Sequence, residues 1–246
     1  MRRMYLAVDI GNTRTKLGLF DAAQKLVEHL VWETWANEQL LAWALHAGVE
    51  KVILSSVAQE TGELQEYLGG YFPTHTLDHS TPLPFHNTYT TPKTQGKDRL
   101  AAVAGAQALY PGRHCLVVDC GTCIKYEMLD AAGIYYGGNI APGAMMRLQA
   151  MHHFTARLPL APMEVPESEI GNSTSTALQN GALRGASLEI EGFAQQFGQR
   201  FSPLYVILSG GDAQFFKPLL SIENLSLEPD LTLHGLNHIL NHLYQA

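Results

Sequence analysis

The hydrophobic pattern of the chain opens in an extended regime. An apolar run, Tyr5 to Val8, stops at Asp9; Gly11 and Asn12 follow, and a second apolar run spans Leu17 to Phe20. Apolar runs bounded by turn residues predict buried strands, here joined as a β-hairpin with a polar tip. Leu26 to Val31 predicts a third strand. The period then changes to that of a helix. Asn37 to Gly48 reads as a helix with an Asn cap and a Gly stop, with Leu40, Leu41, Ala44 and Leu45 on one face. Lys51 to Val57 predicts a buried strand, and Thr61 to Leu68 a short helix ended by Gly69 and Gly70.

Periodicity then fades. Residues 73–97 are rich in Pro, Thr and His, and predict a long loop over Asp78 to Lys97. Loops of this length in compact domains tend to be functional. This one contains Tyr89 and ends in Gly96-Lys97-Asp98-Arg99, after which an alanine-rich helix runs to Leu109. A carboxylate at a helix start can cap it, and a carboxylate after a glycine can equally serve as a general base. The residues alone leave both roles open for Asp98.

The second half begins near His114 and repeats the first. Residues 115–140 predict a second set of hairpin strands. Asp119-x-Gly121-Thr122 echoes Asp9-x-Gly11, each followed by a lysine, and Asp130 echoes Asp21 with a one-residue gap. Two such hairpins half a chain apart indicate a duplicated domain. Tyr135 to Gly143 reads as a glycine-rich turn able to close over a ligand, and Met145 to His153 as a helix. Leu158 to Glu169 predicts a Pro-containing loop. A long helix capped by Ser173 or Thr174 runs through Phe197, then come a strand over 204–209, the Gly210-Gly211 turn, a helix over 213–220 and a last helix from Leu236 to Leu243.

The chemistry lies at the turns. A glycine lets backbone amides approach a ligand, and successive N–H groups make an anion-binding nest. Asn12, Thr13 and Thr15 add neutral donors and Lys16 a point charge; Asp9 suits a hydrated Mg²⁺ shared with substrate phosphates. Composition adds exclusions. The chain has 246 residues and a net charge of −7 without a Lys/Arg run, a poor basis for binding nucleic acid. No apolar stretch reaches the ~20 residues of a membrane span. The first apolar run is cut short by Asp9, which argues against a signal peptide, so the expected location is the cytoplasm. Cys115, Cys120 and Cys123 follow an iron–sulfur-like spacing without a fourth cysteine. Cys120-Gly-Thr-Cys123 can be a redox pair, but the extended residues after it favour small apolar side chains beside a turn. His152 and His153 are adjacent and cannot share a helix face as a metal pair.

Asp9-x-Gly-Asn-Thr-x-x-Lys16, Gly96-x-Asp98-Arg99, Asp119-x-Gly121-Thr122 and Ser209-Gly-Gly-Asp212 occur in this order. Together they resemble the type III pantothenate kinases, of the acetate and sugar kinase, Hsp70 and actin superfamily, from residue 5 to the C-terminus. The resemblance implies an α/β fold of two duplicated ribonuclease-H-like (actin-like ATPase) halves, 1–113 and 114–246, with a central cleft. It implies ATP-dependent phosphorylation of pantothenate to 4′-phosphopantothenate, the first step toward coenzyme A. Carried over by position, it gives Asp9, Ile10, Gly11, Asn12, Thr13, Arg14, Thr15, Lys16 and Thr122 to ATP. Tyr89, Gly96, Lys97, Asp98, Arg99 and Thr174 go to pantothenate, with Asp98 the catalytic base. Asp119 would bind a monovalent cation, K⁺ or NH₄⁺; ATP would come with Mg²⁺; and the protein would be a homodimer whose pantothenate site is closed by the partner subunit. The chain departs from the family pattern after Thr122, at Cys123-Ile-Lys-Tyr-Glu127. There Lys125 can point at phosphate or replace part of the cation's charge.

Three alternatives remain at this level. One is another small-molecule kinase of the superfamily. The second is a non-catalytic nucleotide-binding regulator, which would not need Asp98. The third is a thiol–disulfide protein built on Cys120 and Cys123.

Overall fold

In a computed structural model, residues 3–11, 14–56 and 61–245 are described. They fall into two compact units. One holds the described residues up to Gly112, with Gly133–Tyr135 and the segment from Asp230 on; the other holds Arg113–Ala132 and Tyr136–Pro229.

The first unit is built on β1 (Met4–Ile10), β2 (Thr15–Asp21) and β3 (Leu26–Trp32), an antiparallel meander. Helix α1 (Asn37–His46) leads to β4 (Val49–Ser56), and α2 (Gly62–Gly69) to β5 (Thr74–Thr76). The strand order is β3-β2-β1-β4-β5, with β4 parallel to β1 and β5 parallel to β4. A parallel pair needs a crossover, and α1 and α2 supply it. The apolar sides of the strands meet Leu40, Leu41 and Ala44 of α1 and Leu64 and Leu68 of α2 in one buried cluster. Two expectations change at α1. Its N-cap is Ala36 rather than Asn37. Leu45 is 53% exposed, because the buried stripe is centred on Leu40 and Ala44, one of which lies a full turn above the other.

The long loop is partly ordered by the sheet edge. A two-residue strand, β6 (His86–Asn87), pairs in parallel with Ile134 and Tyr135. Helix α3 (Lys97–Leu109) follows.

The second unit repeats the plan. Strands β7 (His114–Cys120), β8 (Cys123–Leu129) and β9 (Ile134–Pro142) are followed by α4 (Ala144–His153), α5 (Thr174–Gln179), a π-helical turn over Asn180–Arg184 and α6 (Gly185–Gly198). Then come β10 (Leu204–Ser209), α7 (Ala213–Phe216), a 3-10 turn over Lys217–Leu219 and β11 (Leu225–Leu227). The order β9-β8-β7-β10-β11, with β7 antiparallel to β8 and parallel to β10, is that of the first unit. The duplication inferred from two Asp-x-Gly turns is therefore carried by whole sheets. Tyr135 to Gly143 is mostly the strand β9, not a turn. The long helix expected through Phe197 is broken by the π turn, where Arg184 bonds the Asn180 side chain and the Pro166 carbonyl.

The final helix, α8 (Leu231–Gln245), starts five residues before the expected Leu236. Gly235 interrupts its pattern and hid the first turn, whose Leu231 and Leu233 are fully buried. It packs on α3 within the first unit. The crossing depends on two glycines. A Cβ on Gly235 would stand 1.7 Å from the Ala101 carbonyl oxygen, and one on Gly105 would stand 2.1 Å from that of Leu231. The Gly235→Ala protein should therefore lose about 3 kcal/mol or more, since overpacking against backbone cannot relax through a rotamer. Gly192→Ala, at an exposed helical site with nothing within 4 Å, should gain about 0.5–1 kcal/mol. Thermal denaturation of both variants checks the contrast.

Candidate active site

The tip of the first hairpin presents Asp9 opposite Lys16, one pair in from the closing pair Ile10 and Thr15. Asp9 and Lys16 are half-exposed, while Val8, Ile10, Thr15 and Leu17 are buried. The period of a strand thus turns the two charges to one face and anchors the other in the core. The Thr15 hydroxyl accepts the Trp35 indole N–H at 2.9 Å, which ties it to the segment before α1. The Gly11 N–H bonds the Arg14 carbonyl at 3.0 Å, so it closes the turn instead of joining an anion nest. Arg14 is exposed, and Asn12 and Thr13 lie outside the described residues.

The end of the loop forms a second group in the same unit. Gly96 is the N-cap of α3 and Lys97 its first residue, so Asp98 stands one position inside the helix. The capping role considered for Asp98 is therefore replaced by one in the first turn, where a carboxylate meets the positive end of the helix dipole. Its Oδ1 lies over Gly96, where a Cβ would be 2.4 Å away. Any side chain at position 96 would displace the carboxylate. Next to it, Arg99 is buried, and its guanidinium reaches the Tyr89 hydroxyl at 3.4 Å and lies 5.3 Å from the ring centre.

Tyr89 is held from behind. Its backbone N–H donates to the Asn87 side chain at 3.0 Å, Asn87 donates to Gln95 at 2.9 Å, and Gln95 donates to the Tyr135 hydroxyl at 2.8 Å. Gln95 and Tyr135 are buried. Buried amides satisfied in this way fix a loop that lacks regular structure. Asn87 and Gln95 escape a sequence reading, because isolated amides in a polar loop carry no periodic signal.

In the second unit, Asp119 faces Lys125 across the β7–β8 pair, and Lys125 Nζ lies 2.6 Å from Asp119 Oδ2. The Gly121 N–H bonds the Cys123 carbonyl, and Thr122 is exposed at the tip. Two segments close on this hairpin. The Gly143 N–H donates to the Thr122 carbonyl, which seats the start of α4 on the tip. Gly210 has φ +89° and lies where a Cβ would be 2.3 Å from the Cys120 carbonyl oxygen, a conformation and an approach that demand glycine. The Asp212 N–H bonds that same carbonyl at 2.9 Å. Together these elements leave a cavity of about 360 Å³ lined by Gly121, Thr122, Met145, Met146, Gln149 and Asp212. Desolvation raises the Asp212 carboxyl above its ordinary value. Two methionines beside an amide and a carboxylate suit a flat, polarisable ring with polar edges. Met145, Met146 and Gln149 were not legible as site residues, because a helix start after a glycine reads the same with or without a ligand. Thr174 is the exposed first residue of α5, whose cap is Ser173 in a reciprocal box with Thr176. The structure thus groups Tyr89, Gly96, Lys97, Asp98 and Arg99 around one helix start, and leaves Thr174 in the other unit.

The surroundings of Cys115 and Cys120 disfavour a redox role. Cys115 and Cys120 are buried and all three thiols are free. Burial pushes the Cys115 thiol up to about 12, and burial, then the Asp119 and Asp212 charges, push Cys120 up as well. A thiol held protonated is a poor nucleophile.

With this geometry in view, the chain can be set beside known proteins. The sequence model of the family described as type III pantothenate kinase matches residues 5–196. A type III pantothenate kinase from Bacteroides fragilis is 40% identical over 240 residues, covering 97% of this chain and 98% of that protein. The chain belongs to the type III pantothenate kinase family. Among solved structures, a Baf family protein from Campylobacter jejuni aligns with a TM-score of 0.65 at 20% identity, over 98% of this chain and 100% of that one. A ROK family glucokinase from Streptomyces griseus, in complex with glucose and AMPPNP, aligns with a TM-score of 0.52 at 12% identity, over 99% and 100%. These structural likenesses speak for the fold, the duplicated halves of the actin-like ATPases. Cys115 and Cys120 are core filling, and Cys123 is half-buried beside the turn. The double variant Cys120→Ala, Cys123→Ser should keep its kinase rate within about threefold of wild type, in a coupled ADP-release assay. Loss of activity in a folded double variant would restore the thiol reading.

Proposed function

We propose that the chain makes 4′-phosphopantothenate from pantothenate and ATP with Asp98 as general base and Arg99 as the anchor of the pantothenate carboxylate. The observation that carries this reading is the single helix start at which Gly96 makes room for the Asp98 carboxylate and Tyr89 braces the Arg99 guanidinium. A planar guanidinium matches a carboxylate through two parallel bonds, and bracing it in advance lowers the entropic cost of binding. The anchored substrate then presents its primary hydroxyl within hydrogen-bond reach of Asp98.

In the transfer, the hydroxyl O–H bond breaks and its proton passes to Asp98. The oxygen forms a bond to the γ-phosphorus, the bond from that phosphorus to the β,γ-bridging oxygen breaks, and ADP leaves. ATP enters as its Mg²⁺ complex, and the metal neutralises charge on the β- and γ-phosphates. Asp9 and Lys16 at one hairpin tip, the sequence stretch Ile10 to Thr15 between them, and Thr122 at the other hairpin are assigned to the nucleotide. The cavity beside Thr122, with Met145, Met146, Gln149 and Asp212, is assigned to the nucleoside. Thr174 is assigned to pantothenate, together with Tyr89 and Lys97.

A homodimer in the cytoplasm completes the reading. Its support is the family resemblance together with the exposed apolar residues Ile140, Phe154, Ile170 and Leu188 of the second unit, at 61%, 81%, 81% and 65%. Among the described residues no helix is long and apolar enough to cross a membrane, and the charge of −7 disfavours nucleic acid.

Replacing the base is the direct check. Asp98→Asn should cut kcat about 10²–10⁴-fold, the usual contribution of a positioned base. The KM for ATP should stay within about threefold, because uniform binding is untouched. Steady-state kinetics with ATP as the varied substrate at saturating pantothenate reads both. An unchanged kcat would remove Asp98 from the chemistry.

A further inference from the structure

The family resemblance brings a monovalent cation to Asp119, and the residues present do not fit one. That carboxylate already holds an ammonium group of this chain. Lys125 Nζ stands 2.6 Å from Asp119 Oδ2, and both side chains are about one-fifth exposed, at 21% and 20%. Oδ1 lies against the Gly210 turn, where a Cβ on Gly210 would be 2.4 Å from it. One carboxylate oxygen is thus engaged by the lysine and the other is packed against backbone.

The pairing is set by the fold rather than by a mobile side chain. Asp119 and Lys125 are register partners in the antiparallel pair of β7 and β8. Directly opposed residues have their Cβ atoms about 4.5–5.5 Å apart. Their neighbours Val118, Cys120, Ile124 and Tyr126 are fully buried on the opposite face. A slip of one residue would put a charge on the face that this set now fills, so the register is locked. Lys125 also belongs to the stretch in which this chain departs from the family pattern.

We propose that the Lys125 ammonium stands in for the monovalent cation at Asp119, so that this kinase binds nucleotide and transfers phosphate without K⁺ or NH₄⁺. The chemistry is direct. An ammonium ion carries one positive charge and hydrogen-bond donors, and a lysine head group carries the same charge with three donors. Tethered opposite Asp119, that head group needs no free ion to reach its site. A second cation placed beside it would meet like charge. The inference rests on the proposed function, in which Thr122 of the same hairpin is assigned to the nucleotide.

The test measures the kinase rate and, separately, the affinity for a fluorescent mant-ATP analogue, with choline chloride, KCl or NH₄Cl as the only monovalent salt. The expected wild-type result is a rate and an affinity in choline chloride within twofold of those in KCl. Lys125→Ala should lose at least tenfold in choline chloride and recover on addition of KCl or NH₄Cl. Lys125→Gln, which keeps the length of the side chain, guards against a folding defect and should show the same salt rescue. Activation of the wild type tenfold or more by K⁺ would overturn the proposal, as would either variant that works fully in choline chloride. If pantothenate turnover failed in every salt, the kinase reading would fall. The analogue affinities would still decide this proposal: equal values in choline and potassium for wild type with potassium-dependent values for Lys125→Ala support it, and tenfold tighter wild-type binding in potassium overturns it.

Discussion

The register of two antiparallel hairpins is the constraint from which the rest follows. In each unit, burying one face of the first strand pair fixes which residues meet at the tip. In the first, buried Val8, Ile10, Thr15 and Leu17 leave Asp9 opposite Lys16. In the second, buried Val118, Cys120, Ile124 and Tyr126 leave Asp119 opposite Lys125. The charged pair is placed by the hydrophobic effect acting on its neighbours. The tips differ in length: the first turn closes from Gly11 to Arg14 and the second from Gly121 to Cys123. That is the one-residue gap in the sequence repeat.

The candidate site residues are held in place by other side chains and turns. Gln95 and Tyr135 fasten Asn87, which fastens Tyr89, which braces Arg99. Gly210 brings its turn onto Asp119 and Cys120, and the start of α4 is tied to the Thr122 carbonyl. A functional group held to within fractions of an ångström needs such support, because a loop residue left to itself samples many rotamers. The long loop therefore ends as a fixed platform at the start of α3.

Much of the fold was legible because buried strands and amphipathic helices write their period into the chain. The meander, the crossover helices and the repeated Asp-x-Gly turns were all readable as pattern. Three kinds of feature were not. Gly235 breaks the helical signal and hid the first turn of α8, and only its contact with Ala101 explains why a glycine is there. Tyr135 to Gly143 looked like a turn by composition, yet sheet pairing draws most of it into β9, an override of local preference by tertiary context. Asn37 looked like a cap, but Ala36 holds that position, since cap identity depends on backbone angles that composition does not carry. Of the candidate site, Asp98, Arg99 and Tyr89 were expected from the family resemblance, and Lys125 stood out as a departure from it. The ion pair that gives the departure its meaning depends on register, and Asn87, Gln95 and the methionines of the cavity beside Thr122 depend on packing.

The most direct measurement is to incubate the purified chain with pantothenate, ATP and Mg²⁺ in choline chloride, and to quantify products by mass spectrometry. The account predicts 4′-phosphopantothenate and ADP in equal amounts, with nothing gained by adding KCl. Product that forms only once K⁺ or NH₄⁺ is supplied would contradict the role given to Lys125. No phosphopantothenate in any salt, from protein that still melts cooperatively, would contradict the account as a whole.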